Sequence, residues 1–128
     1  MEPLINYFID INAEKILDVG TGKGGFIPVL LKTFPFATIT GVDPNSESIE
    51  VARQQYPGIY FQKMSAEKLL FHDNSFDVVS ISMSLHHLSN IKKALKEIKR
   101  VVKTRGYIII NRSEERRVGK ECIFRWWP

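Results

Sequence analysis

Residues 15–25, KILDVGTGKGG, constrain the fold more than any other stretch of the 128-residue chain. An apolar run too short for a helix carries an acid, Asp18, and four glycines then fall within six positions: Gly20, Gly22, Gly24 and Gly25. A short apolar run stopped by glycine reads as a buried strand. The glycines allow backbone shapes and close approaches that a Cβ forbids. Residues 24–34 read as a helix, which puts Pro28 in its first turn, where a missing N–H costs no hydrogen bond.

The rest of the chain keeps alternating strand-like and helix-like pieces. Residues 38–43, 59–64, 75–84 and 106–111 are strand-like, with 75–84 apolar on both faces. Residues 46–56 form a helix with Asn45 or Ser46 as N-cap and Pro57-Gly58 as its stop. Residues 65–70 read as a loop or short helical turn. In the helix 90–103, Ile91, Leu95, Ile98 and Val102 make one apolar stripe, with Ala94 and Val101 beside it. Lys92, Lys93, Lys96, Lys99, Arg100 and Lys103 lie opposite. Strands apolar throughout, alternating with helices, imply an α/β chain with a parallel sheet covered on both faces. Right-handed crossovers bring Asp18–Gly25, Asp43–Asn45, Met64–Glu67 and Ser84–Leu88 to one sheet edge, where a ligand binds.

The chain has the length of one domain. No apolar run nears the ~20 residues that span a bilayer, and the N-terminus lacks a basic n-region and a small-residue cleavage site. A cytoplasmic location with no membrane partner is the expectation. The one cysteine, Cys122, forms no internal disulfide, and no metal site is assigned. The basic face of 90–103 reads as solvated rather than as a nucleic-acid surface, because Glu97 interrupts the lysines and no aromatic residue interleaves them.

The glycine loop admits two ligands. Gly20, Gly22 and Gly25 satisfy G-x-G-x-x-G, with Asp43 lying 23 residues past Gly20, which is the dinucleotide pattern. Asp18, Gly20, Gly22 and Gly24 equally make D-x-G-x-G-x-G. A phosphate loop of the Walker type is excluded, since no Gly-Lys precedes Ser or Thr. An acid just before the loop suits an ammonium better than a pyrophosphate, so Asp18 tilts the choice toward an amino-acid-bearing nucleoside.

From residue 15 to 110 the chain resembles the class I S-adenosylmethionine-dependent methyltransferases, within the small-molecule group that includes quinone-biosynthesis enzymes. The segments ILDVGTGKGG, ITGVDPN, SAEKLLFHDNSFDVVSISMSLHHL and ALKEIKRVVKTRGYIII carry the resemblance in the expected order. It implies a Rossmann-like three-layer sandwich with a mostly parallel sheet, and S-adenosyl-L-methionine as cofactor. Gly20, Thr21, Gly22 and Gly24 would line the methionine part, with Asp18 nearby. Asp43 would hold the ribose hydroxyls, Pro44 and Asn45 would lie against the adenine, and Ser65 and Ala66 would contact the adenine edge. Residues 84–87 would form the rim where a small-molecule methyl acceptor meets the methyl group. His86 and His87 are the candidates there for a general base. The family commonly has Asp where Ser65 stands, which predicts weaker cofactor binding, and Pro-Gly-Gly where Thr104-Arg105-Gly106 stands. An NAD(P)-binding oxidoreductase fragment and a non-catalytic cofactor-binding remnant are the alternatives. The sequence specifies neither the acceptor nor the oligomeric state.

Residues 112–128, RSEERRVGKECIFRWWP, break with this pattern. They hold both tryptophans and the cysteine, and their five basic against three acidic residues supply half of the net charge of +4. They resemble the translation of a sequencing-library adapter, most closely over RSEERRVGKEC, and so read as a non-native tail outside a partial domain of residues 1–111. The family's sheet has seven strands, so the expectations are truncation after the fifth, an exposed edge at YIII, and a poorly active chain.

Overall fold

The computed structural model describes residues 12–83, 88–111 and 121–125. Among them the elements are, in order, β1 (Lys15–Val19), α1 (Ile27–Thr33), β2 (Thr38–Asp43), α2 (Ser46–Gln55), β3 (Tyr60–Lys63), β4 (Phe76–Ile81), α3 (Ile91–Val101), β5 (Val102–Asn111) and β6 (Glu121–Arg125). The sheet order is β3-β2-β1-β4-β5-β6. β1 through β5 pair in parallel, and β6 runs antiparallel to β5. The winding reverses between β1 and β4, which opens a crevice at their carboxyl ends.

Side chains alternate between two cores. Ile16 of β1 and Val78 of β4 pack with Ile27 and Leu30 of α1 and with Ile49 and Ala52 of α2. Leu17, Val19, Val79 and Ile81 pack on the other face with Ala94, Ile98 and Val101 of α3 and with the loop residues Met64, Ala66 and Leu69. The expected three layers are therefore present, and β1, β2, β4 and β5 carry apolar residues on both faces because both faces are covered.

Element ends differ from the sequence expectation in ways that have physical causes. α1 starts at Ile27, with Phe26 as an N-cap that makes no side-chain cap bond and Pro28 inside the first turn. It does not start at Gly24, because Gly20, Gly22 and Gly24 take φ of 72°, 57° and 91°, which no right-handed helix contains. α3 stops at Val101, and Val102 is already extended. Its buried side is Ala94, Ile98 and Val101, so Ile91 is exposed rather than part of the stripe. β5 begins at Val102, not Gly106, and bulges: Phe76 faces Val102, yet Val78 faces Tyr107. Arg105 takes φ 69° in that bulge. A Cβ on Gly106 would lie 2.7 Å from the Asp77 carbonyl oxygen.

Two readings of surface residues need correction. Arg100 is not on a solvated basic face. Its guanidinium donates to the carbonyls of Leu69 (2.7 Å) and Phe71 (2.8 Å), to Asp73 Oδ1 (2.8 Å) and to Glu97 Oε2 (2.8 Å). Nor does all of 112–128 stay outside the fold, because residues 121–125 pair with β5 from Tyr107 opposite Arg125 to Asn111 opposite Glu121. A row of main-chain donors and acceptors along β5 needs partners wherever a strand can reach it, so its YIII edge is paired, not bare.

Candidate functional site at the carboxyl edge of the sheet

Strand periodicity puts Asp18 on the Ile16 face of β1, Gly41 and Asp43 on the Ile39 face of β2, and Ser80 and Ser82 on the Val78 face of β4, all one face of the sheet. Register places Asp18 directly between Gly41 and Ser80. The glycine loop is tied down over this row. The amides of Gly20 and Thr21 both donate to the Val42 carbonyl (2.9 Å each), and that of Gly24 donates to the Thr21 carbonyl (2.9 Å). The Gly22 amide donates to Asp43 Oδ2 (2.9 Å), while Asp43 Oδ1 accepts from the Asn45 amide (2.9 Å). Asp43 thus braces both the loop and the start of α2, and each oxygen retains a lone pair for a ligand hydroxyl.

The three left-handed glycines have different reasons to be glycine. A Cβ on Gly20 would stand 2.3 Å from Met83 Cβ, and one on Gly24 would stand 2.8 Å from the Tyr56 ring. Protein atoms crowd those two positions. At Gly22 nothing among the described residues lies within 4 Å of the same point, and the same holds at Gly25. Of the three left-handed glycines, Gly22 is the one whose bare backbone a ligand could approach.

Asp18 is fully buried. Its Oδ1 accepts from the hydroxyls of Ser80 (2.7 Å) and Ser82 (2.6 Å). Burial pushes its carboxyl up to about 6, against the pull of the Ser82 and Ser80 hydrogen bonds, and the charge of Asp43 adds to the rise. Thr21 lies near enough to oppose the rise, yet its Oγ1 and Asp18 Oδ2 are both buried with no geometric hydrogen-bond partner among the described residues. Gly41 lets the threonine sit there, since a Cβ at Gly41 would meet Thr21 Oγ1 at 2.9 Å. Two unpartnered polar atoms beside an open glycine suit a ligand that brings a cation and donors.

The other expected residues divide. Pro44 and Asn45 are exposed at the head of α2, and the Asn45 side chain caps that helix by accepting from the Ser48 amide (2.9 Å). Met64 donates its amide to the Asp43 carbonyl (3.0 Å), so Ser65 follows directly on the site. The Ser65 hydroxyl accepts from the Glu67 amide (3.1 Å). Ala66 is buried in the second core, which leaves its main chain for any ligand contact. His86 and His87 lie outside the described residues.

Sequence reading missed Ser80, Ser82 and Gly41. The signal was present as two serines spaced by two in an apolar strand, and as one glycine inside another.

This geometry bears on the choice between the two ligands. A dinucleotide would need loop amides for its pyrophosphate. Here the amides of Gly20, Thr21, Gly22 and Gly24 are committed to protein acceptors, and two carboxylates flank the loop. Residues 17–110 match the methyltransferase domain family. The chain belongs to that family. This methyltransferase domain is 31% identical over 107 residues to a demethylmenaquinone methyltransferase of Thermotoga maritima, covering 84% of the chain and 47% of that protein. It is 41% identical over 97 residues to a demethylmenaquinone methyltransferase of Chlorobaculum parvum, covering 74% of the chain and 40% of that protein. The solved structure of a SAM-dependent methyltransferase from Methanosarcina mazei superposes with a TM-score of 0.72 at 27% identity, over 86% of this chain and 57% of that one. The domain therefore spans about half the length of the curated relatives it matches.

Proposed function

We propose that this domain binds S-adenosyl-L-methionine and serves methyl transfer to a small-molecule acceptor. The observation that carries the reading is the loop itself: the amides of Gly20, Thr21, Gly22 and Gly24 are spent on protein acceptors, Gly22 is open, and the flanking groups are the acids Asp18 and Asp43. When bound, the cofactor supplies an electrophilic methyl group. The chain's part is to accept the ribose hydroxyls at Asp43, the ammonium at Asp18 and the methionine backbone at Gly22, and so to fix the donor for an in-line displacement. The names of the relatives favour an apolar acceptor of quinone or lipid type. His86 or His87, which follow β4 in sequence, would take the acceptor's proton.

The 128-residue chain alone would turn over poorly, because the residues that shape the acceptor pocket in the relatives would lie in the half it does not match. We also read 112–128 as foreign to the family's domain. Adapter codons from Arg112 onward in the encoding DNA would bear that out, and native genomic continuation would remove it.

Calorimetry with S-adenosylhomocysteine and NAD, side by side, tests the function. Binding of the first and not the second is expected. Asp43→Ala should weaken S-adenosylhomocysteine by roughly 1.5–3 kcal/mol, the scale of hydrogen bonds to a charged group. Preference for NAD, or an unchanged affinity in the variant, would overturn the assignment.

A further inference from the structure

We propose that Ser80 and Ser82 are positioning residues for cofactor capture: by donating both hydroxyls to one oxygen of Asp18, they hold that buried carboxylate ionised and leave its other oxygen for the ligand's ammonium. The inference rests on the S-adenosylmethionine reading and deepens it.

A carboxylate inside a β-sheet, with no exposed surface, is driven toward its neutral form by desolvation. Hydroxyls that donate to it favour the charged form. β4 supplies two such donors two residues apart, on the strand beside Asp18, at 2.7 Å and 2.6 Å. Both converge on Oδ1. Oδ2 is left buried with no hydrogen-bond partner among the described residues, as is the neighbouring Thr21 hydroxyl oxygen. Thr21 favours the charged form but brings no charge of its own. From β2, the charge that bears on Asp18 is the acid Asp43, which opposes ionisation. From β4 come the two neutral serines, and from the loop the neutral Thr21. The α1 and α2 side chains in this core are apolar, and the phenols of Tyr56 and, from β5, Tyr107 pack with them. The serines, ahead of Thr21, are therefore the main groups that work against burial, and a ligand ammonium would supply the missing charge. A neutral Asp18 would present a hydroxyl or a carbonyl there and would forfeit the ion pair.

The test uses the full chain, S-adenosylhomocysteine, and 5′-methylthioadenosine as a probe with the same nucleoside and no ammonium. In the parent, the affinity for S-adenosylhomocysteine should climb with pH through a midpoint near the Asp18 value of about 6, while 5′-methylthioadenosine stays flat. Ser82→Ala should move that midpoint up by about one unit, and adding Ser80→Ala should move it further. At pH 6.5 the single variant should bind S-adenosylhomocysteine about threefold more weakly, the double variant more weakly still, and both should bind 5′-methylthioadenosine as the parent does. Ser82→Thr, which keeps a hydroxyl, should restore the midpoint. Carbon NMR of the Asp18 carboxyl in the unliganded chain should report the same displacement and needs no ligand. A midpoint and a carboxyl titration that stay put in the serine variants would overturn the proposal, as would equal weakening of both probes at every pH. A parent chain that binds neither probe would instead bring down the S-adenosylmethionine reading, and this inference with it.

Discussion

Gly22 and Gly20 look alike in sequence and differ in what they face. Gly22→Ala should cost the fold only about 1–2 kcal/mol, the strain of a left-handed alanine, because the space beside it is open. It should nevertheless abolish measurable S-adenosylhomocysteine binding. Gly20→Ala adds a clash with Met83 to the same strain, so thermal denaturation should show the larger loss there. Asp18 sets a pH dependence of opposite sign to most acids. Unfolded, it titrates near 3.8; folded, near about 6. Below the first value both states hold the proton and stability is unaffected. Between the two the folded chain keeps a proton that the unfolded chain has released, so stability falls as pH rises. Above the second the burial of charge has removed up to about 3 kcal/mol. Asp18→Asn should therefore raise the melting temperature of the unliganded chain at pH 7.5, with the gain vanishing at pH 4. A gain that persists at pH 4 would trace to packing instead. The spacing of glycines and the acids at strand ends were legible in the residues. Which glycine faces a ligand and which a side chain was not, because Met83 and Tyr56 reach the loop from distant parts of the chain.

At the scale of elements, the connection between β3 and β4 is held by α3 more than by its own structure. Glu97 Oε1 accepts from the Leu69 amide (2.9 Å), and the Arg100 carbonyl accepts from the Asn74 amide (2.9 Å). Glu67 Oε2 reaches the Asn90 amide (2.6 Å) at the head of α3. Arg100→Ala should destabilise the chain by roughly 2–4 kcal/mol in urea denaturation, since it strips partners from two carbonyls and two carboxylates. Arg100→Lys should recover little, because a lysine cannot span acceptors as the planar fork does. Full recovery by lysine would mean that charge alone matters. The hydrogen bonds of Arg100 pull the Glu97 carboxyl below its usual range despite partial burial. The stabilisation from Glu97 is thus present above the ordinary glutamate value and is lost as pH falls through the lowered one, the reverse of Asp18. The helix itself was plain from its apolar spacing. The clamp was not, because a basic run looks the same whether its members face water or fasten a loop.

On the scale of the whole molecule, the strand–helix alternation was enough to give a covered parallel sheet, since the strands read as apolar throughout and β1, β2, β4 and β5 do lie between two cores. The sixth strand was not legible, because 121–125 carries no hydrophobic period strong enough to announce it. Deleting residues 112–128 should expose the main chain of β5 beside Ile108, Ile109 and Ile110. Size-exclusion chromatography should then show aggregates where the parent runs as a discrete species. A discrete peak after the deletion would mean that the edge tolerates water. Because such a ladder is knit by peptide groups, the guest strand is recognised by its shape and not by its letters. Any extended segment of suitable length tethered downstream could dock on the same margin, and a sequence of alien origin could inherit the berth of a native one without the rest of the sheet registering the exchange.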